Sequence, residues 1–394
     1  MRVAFSLIGG KGWTGGSHYL KNLLIALREA SGGSVEPLLF TGTDRMDEAD
    51  QIRPFVSEVI TDSRFTESTF PSFMRQVVRK LTDNDHAVKW LFRRWKVDVV
   101  FHAGLFGKRF EFPCVNWIAD FQHLRLPDMF THKERAFRDM LFEKIISQSR
   151  RLVLSSEAAH HDFRTFFPGS TVLVDTLRFV ARVPEDAYSL HPWNTVREYG
   201  VPEKFIFLPN QFWKHKNHMA VIRAVRLLRD NGRDIFVVCS GNEQDHRYPG
   251  YADLLKAEAK ELGIQDHISF LGLIPMDHVY LFMRQAAAVL NPSFFEGWST
   301  TVEETKSLGK RIIVSDISVH REQDPEGGLY FDPASPEDLA DKLSTVWDET
   351  LPGPDRAMEE RARAMMKERW AAFGRTFLNI LTKTAHTGPQ QTFH

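Results

Sequence analysis

Short apolar runs alternate with helix-patterned stretches along almost the whole of this chain, and that alternation restricts the fold more than any other feature. Strands that are nearly continuous in apolar residues, each followed by an amphipathic helix, build parallel sheets covered on both faces. Residues 2–9 read as a strand, followed by the loop GGKGWTGG and a helix over 17–30. Further strands are predicted over 37–41, 97–103, 114–119, 151–155 and 171–174, with helices over 71–81, 86–95, 132–149 and 157–166. The rhythm breaks around 180–202, where Pro184, Pro192 and Pro202 fall among polar residues. It then resumes with strands 205–208, 235–240, 268–271, 286–290 and 311–314, a short 329–331 run, and helices 219–231, 251–262, 278–285 and 336–347. A chain of 394 residues is naturally two domains. The expectation is an α/β protein of two Rossmann-like domains, 1–185 and 200–370. A C-terminal helix, 371–385, would cross back to the first domain, and 386–394 would be a disordered tail. Open parallel sheets bind ligands at the carboxyl ends of their strands, which puts the expected site in an interdomain cleft.

Charge and cysteine content exclude several classes. The formal net charge is -1, which speaks against a nucleic-acid partner. Cys114 and Cys239 stand far apart in apolar runs and read as buried thiols rather than a disulfide or metal pair. The first apolar run is too short for a secretory signal, and no run approaches a membrane span, so a cytoplasmic protein is expected. No metal site is expected either. Asp83-Asn84-Asp85 falls in a polar helix connection, and the histidines are scattered, with His160 and His161 pointing apart on a helix.

Four stretches could carry chemistry. The loop 10–15 is a literal G-x-G-x-x-G between strand and helix, but a dinucleotide site wants an acidic residue about 20 positions on. Asp44 comes too late for that, so a substrate-contacting loop is preferred, a plain glycine turn being the alternative. Asp120, Gln122, His123 and Arg125 follow the strand 114–119. Asp120 and His123 are candidates for an acceptor or donor-sugar role, the alternatives being a turn cap for Asp120 and a structural hydrogen-bonding role for His123. The run PNQFWKHKNH over 209–218 places Lys214 and Lys216 at a strand-to-helix turn, where lysines can neutralise a diphosphate. Finally, LNPSFFEGWSTTVEETKSLG over 290–309 reads as strand, glycine turn and helix N-terminus, a natural anion pocket. Thr300 with Glu303 and Thr301 with Glu304 both fit a capping box. Spacing does not choose which glutamate faces a ligand; Glu296 has no capping explanation and is the stronger functional candidate. A basic amphipathic region, 73–96, is either a helix face packed on the core or a contact for an anionic membrane or lipid-linked acceptor.

The stretch SFFEGWSTTVEETKSLGKRIIVSD resembles the signature of the retaining glycosyltransferase family 4, whose members adopt the two-Rossmann-domain GT-B fold. GLYFDPASPEDLA and TGGSHYLKNLLIAL resemble two further blocks of that family. The resemblance implies that Glu296 and Glu304 are its Glu-x7-Glu pair, Glu296 contacting the donor sugar and Glu304 the ribose hydroxyls, with Glu303 left to the helix cap. It also implies catalytic roles for Lys216, Asp120 and His123. Donor contacts would come from Asn210, Gln211, Lys214, Gly297, Trp298, Ser299, Thr300, Thr301, Gly15 and Gly16. Two positions depart from the pattern. Gln211 stands where an arginine commonly precedes the lysine by five residues, and Ala119-Asp120 where a His-Asp pair is common. The expected activity is retaining transfer of a sugar from a nucleoside diphosphate sugar to a saccharide or lipid-linked hydroxyl acceptor, without cofactor or metal, in cell-surface polysaccharide or glycolipid assembly. The alternatives are a nucleotide-sugar epimerase of the same fold and a non-catalytic carbohydrate-binding subunit.

Overall fold

The structure is a computed structural model and describes residues 1–9, 14–101, 105–245 and 247–386. Of the expected glycine loop, Gly10–Trp13 lie outside the described residues, as does the tail from 387 onward. The chain divides into two compact units. The first comprises 1–121, 133–179 and 369–394, and the second 122–132 and 180–368.

The first unit holds seven strands: β1 (Arg2–Phe5), β2 (Glu36–Thr41), β3 (Glu58–Thr61), β4 (Val99–Phe101), β5 (Cys114–Ile118), β6 (Arg151–Leu154) and β7 (Leu173–Thr176). They form one parallel sheet in the order β3-β2-β1-β4-β5-β6-β7. The second unit holds six: β8 (Ile206–Leu208), β9 (Val237–Cys239), β10 (Ile268–Phe270), β11 (Ala288–Asn291), β12 (Ile312–Ser315) and β13 (Leu329–Phe331). Its sheet is also parallel, in the order β10-β9-β8-β11-β12-β13. The period-2 geometry of a strand, with both faces covered, explains why the central runs are almost continuously apolar. Ile206, Leu208, Val237, Leu290 and Ile313 enter one core cluster. Their neighbours Phe205, Phe207, Val238, Val289 and Ile312 enter another.

Several sequence expectations need correction. The first long helix begins at Thr14 (Thr14–Ser31), so Gly15 and Gly16 belong to its opening turn rather than to a loop. Strand β3 was not expected because only one of its four residues is buried. The proline-rich stretch after 180 is not a bare linker. It forms short helices Asp186–Ser189 and Pro192–Val196 and gives Val183, Ala187 and Val196 to the second unit's core. The first unit's main run ends at Phe179, short of 185. The last helix is continuous over Arg356–His386, and from Arg369 onward it belongs to the first unit. Gly309 closes the helix Thr300–Leu308 at φ 64. Its left-handed conformation and a Cβ collision with the Met358 carbonyl both require glycine there.

Candidate functional site

In the second unit the chain builds outward from β8 through β9 and β10, then returns to start β11 on the other side of β8. The order reverses between β8 and β11, and a doubly wound sheet binds its ligand at the carboxyl ends of the strands flanking such a reversal. Two loops emerge there, one from β8 and one from β11, and they are laced together. Phe294 N donates to the His215 carbonyl (2.9 Å). Asn217 adopts a left-handed conformation (φ 58), and its amide donates to the carbonyls of Pro292 (3.1 Å) and Pro333 (2.9 Å). A buried polar relay runs beneath. Asn210 donates to Asn291 Oδ1 (3.0 Å), Thr301 donates to Asn210 Oδ1 (3.0 Å), and Asn291 donates to Ser299 Oγ (2.7 Å). Each of these groups is buried, and each is satisfied by another of the set, which fixes the loops relative to the sheet.

Lys216 and Glu296 face each other on this frame, Nζ to Oε1, at 2.6 Å. Ser293 Oγ donates to the same carboxylate oxygen at 2.7 Å. Burial alone would raise the Glu296 pKa, but the charge of Lys216, with the Lys216 hydrogen bond, holds it down to about 2. Glu304 has the opposite character. It is buried on the helix Thr300–Leu308 with no hydrogen-bond donor among the described residues, and burial raises it to about 8. Two carboxylates eight residues apart are thus held in opposite protonation states at neutral pH. Between them in sequence lies the helix N-terminus. Ser299 caps it by accepting from Val302 N (3.3 Å). The amides of Thr300 and Thr301 have no acceptor among the described residues, leaving a positive end open to an anion.

The cap corrects the sequence reading. Neither Thr300–Glu303 nor Thr301–Glu304 forms a capping box, because Ser299 takes that place. Glu303 is held by Gln323 Nε2 at 3.1 Å and by Lys306 at 3.7 Å. Asn210 and Thr301, expected as donor contacts, are bonded to one another inside the relay, and Asn210 is almost wholly enclosed. Lys214 is exposed, its ammonium 4.8 Å from the Tyr248 ring centroid. Gln211, Gly297 and Trp298 are half-buried around the pair, and Thr300 is exposed.

Residues that sequence reasoning passed over complete the surroundings. The helix Ser318–Gln323 supplies His320 and Gln323. Gln323 clamps Ser299 through both its amide N–H (3.1 Å) and its carbonyl (2.9 Å). His320 Nδ1 bonds the Ser315 carbonyl (2.9 Å), its buried Nε2 has no partner, and burial lowers its pKa to about 4. Arg247, in the loop after β9, is the other omission. Its side chain is buried against Asp245 (3.3 Å) and lies 5.0 Å from the Phe130 ring centroid and 5.1 Å from that of Trp213. Its other guanidinium nitrogens approach Gln122 Oε1 (3.4 Å) and His215 Nδ1 (3.5 Å). Position 211 lacks an arginine, yet a guanidinium does stand beside the lysine loop. Burial, then the charge of Lys216, lowers His215 to about 3, so its ring adds no positive charge.

The remaining candidates separate. Asp120 lies in the 1–121 run of the first unit, whereas His123 lies in the segment 122–132 of the second unit. There the His123 ring is fully buried and packs edge-on to Phe130 at 6.3 Å. Among the described residues no three His, Cys, Asp or Glu side chains are grouped to hold a metal.

Residues 196–365 match the family model described as glycosyl transferases group 1. That match lies entirely within the second unit. Among curated proteins, the chain is similar to the D-inositol 3-phosphate glycosyltransferase of Corynebacterium glutamicum. The two are 29% identical over 160 residues, covering 39% of this chain and 38% of that protein. It is also similar to the O-antigen chain mannosyltransferase RfbU of Salmonella typhimurium, 26% identical over 131 residues, covering 33% and 35%. The matches thus span little more than a third of either relative's length. Among solved structures, the sucrose-phosphate synthase of Thermosynechococcus elongatus superposes with TM-score 0.70 at 14% identity, covering 97% of this chain and 98% of that one. HepE of Anabaena, solved with UDP and glucose, superposes with TM-score 0.68 at 15% identity, covering 97% and 100%. These likenesses show the fold, the GT-B architecture of two Rossmann-like units.

Proposed function

We propose that the chain is a retaining glycosyltransferase that moves a sugar from a nucleoside diphosphate sugar to a hydroxyl acceptor. The observation that carries this reading is the Lys216–Glu296 pair, in a loop that leads into the helix carrying the open Thr300 and Thr301 amides and the buried Glu304. Lys216 and the helix N-terminus offer positive charge where a diphosphate leaving group gains negative charge as its bond to the sugar breaks. Glu296, ionised throughout the physiological range, would accept hydrogen bonds from the donor sugar's hydroxyls and orient it. Glu304 would take the ribose hydroxyls. In this reading positioning and electrostatics supply the catalysis, and no metal or cofactor is required. Asp120 and His123 are assigned to the acceptor side. The curated relatives, one acting on an inositol phosphate and one named for O-antigen synthesis, support a saccharide or lipid-linked acceptor in cell-surface polysaccharide or glycolipid assembly. Peripheral contact with the inner face of a membrane through 73–96 suits such an acceptor.

A thermal-shift screen of UDP-, GDP- and ADP-sugars, followed by transfer assays with the stabilising one, tests this. At a hundredfold excess over Kd the true donor adds about 2.7 kcal/mol and raises Tm by roughly 5 °C. Stabilisation by none of them, or conversion of the donor to an epimer without any acceptor, contradicts the proposal.

A further inference from the structure

The helix Phe70–Thr82 is amphipathic in the opposite sense to a helix that packs on a core. Its inward row is polar. Ser72 is its buried residue; Arg75 is paired with the buried Asp85 at 2.7 Å, and Arg79 donates to the Leu105 carbonyl. The outward row is apolar at helical spacing. Phe70 is 74% exposed, Phe73 61% and Leu81 81%, with Met74 and Val78 also exposed between them. A soluble helix normally buries such a stripe, and a contiguous apolar surface of this kind marks an interaction site. The next helix, His86–Arg94, touches it and exposes Trp90, whose ring lies between the guanidinium groups of Arg64 (5.4 Å) and Arg94 (5.6 Å).

Charge decides what covers the stripe. Between residues 70 and 96 the carboxylates are Asp83 and Asp85. Asp85 is buried against Arg75, and Asp83 accepts the Lys108 amide at 3.1 Å. Lys80, Arg94 and Lys96 are exposed and have no carboxylate partner among the described residues. Lys80 flanks the stripe on the helical wheel, and Arg94 shares the outer face of its helix with Trp90. Outward apolar side chains with an aromatic ring at the margin and unopposed cations form the pattern that lies in the interface of an anionic bilayer. We infer that the Phe70–Thr82 helix, with Trp90 and the basic residues after it, is a docking surface for an anionic lipid bilayer. The apolar stripe enters the acyl boundary while Lys80, Arg94 and Lys96 meet lipid phosphates.

The test is co-sedimentation of the full chain with vesicles of phosphatidylcholine, and of phosphatidylcholine and phosphatidylglycerol in equal parts. Because no sugar donor is present, its failure is distinct from failure of the transfer reading. The protein should sediment with the anionic vesicles only, and less as salt rises. Phe73→Ser with Leu81→Ser, and separately Lys80→Glu with Lys96→Glu, should each lower the partition coefficient about tenfold or more. Both variants should keep the wild-type Tm and the wild-type thermal response to the donor. Equal binding to neutral vesicles, no binding at low salt, or variants that bind as the parent does overturns the inference. Concentration-dependent self-association that the Phe73/Leu81 variant abolishes does so too, because a second copy would then cover the stripe.

Discussion

Lys216 is already neutralised by Glu296 at 2.6 Å, so a diphosphate must compete with that carboxylate for the ammonium. Glu296→Gln removes the competitor while keeping the side-chain shape and the Ser293 contact. The expected outcome is a nucleoside diphosphate affinity that holds or rises by about three- to tenfold, with sugar transfer at least about a hundredfold slower. Titration calorimetry and initial rates separate the two effects; a weakened nucleotide with unchanged transfer would contradict the assigned roles. The prominence of Glu296 was legible from the residues alone, because a glutamate beside Gly297 in a strand-to-helix loop has no capping duty. The part played by Glu303 was not. Its partner Gln323 arrives from a helix twenty residues away in sequence, and local spacing cannot report a contact made through the fold.

Among the elements, the fully buried apolar strands were the most legible. β8, β11 and β12 are buried at every position, which is how a strand covered on both faces must read. Short pieces were missed for the converse reason. The helix Ser318–Gln323 has six residues, too few to show a period, yet it positions Gln323 and His320. The loop after β9 has no pattern at all, yet Arg247 makes it the anchor of the segment 122–132. Arg247→Met keeps the volume but strands Asp245, whose side chain is fully buried. We expect a loss of about 3–5 kcal/mol on breaking this buried pair, together with faster amide exchange across 122–132. Adding Asp245→Asn should restore most of the stability while the exchange stays fast. If single and double variants melt alike at the wild-type temperature, Arg247 does not hold that segment.

For the molecule as a whole, the two-unit parallel architecture followed from alternation of period-2 and period-3.6 stretches. The exact partition did not, because a chain can lend a segment such as 122–132, or half of a continuous helix, to another unit without any change of composition. Glu304, in the second unit, is proposed as the ribose-binding carboxylate of a nucleotide-sugar site. Its pKa is raised by burial to about 8 from 4.5, so the folded protein holds a proton there at neutral pH. Hydroxyl groups donate best to the ionised form, so binding must release that proton and strengthen as pH rises through 8. The decisive measurement is the affinity for the stabilising nucleoside diphosphate at pH 7 and pH 9, above the phosphate's own titration, in wild type and Glu304→Gln. The expected result is about tenfold tighter binding at pH 9 in the wild type, and weaker, pH-independent binding in the variant. A Glu304→Gln protein that binds the nucleotide as tightly as wild type, with the same pH profile, would contradict it.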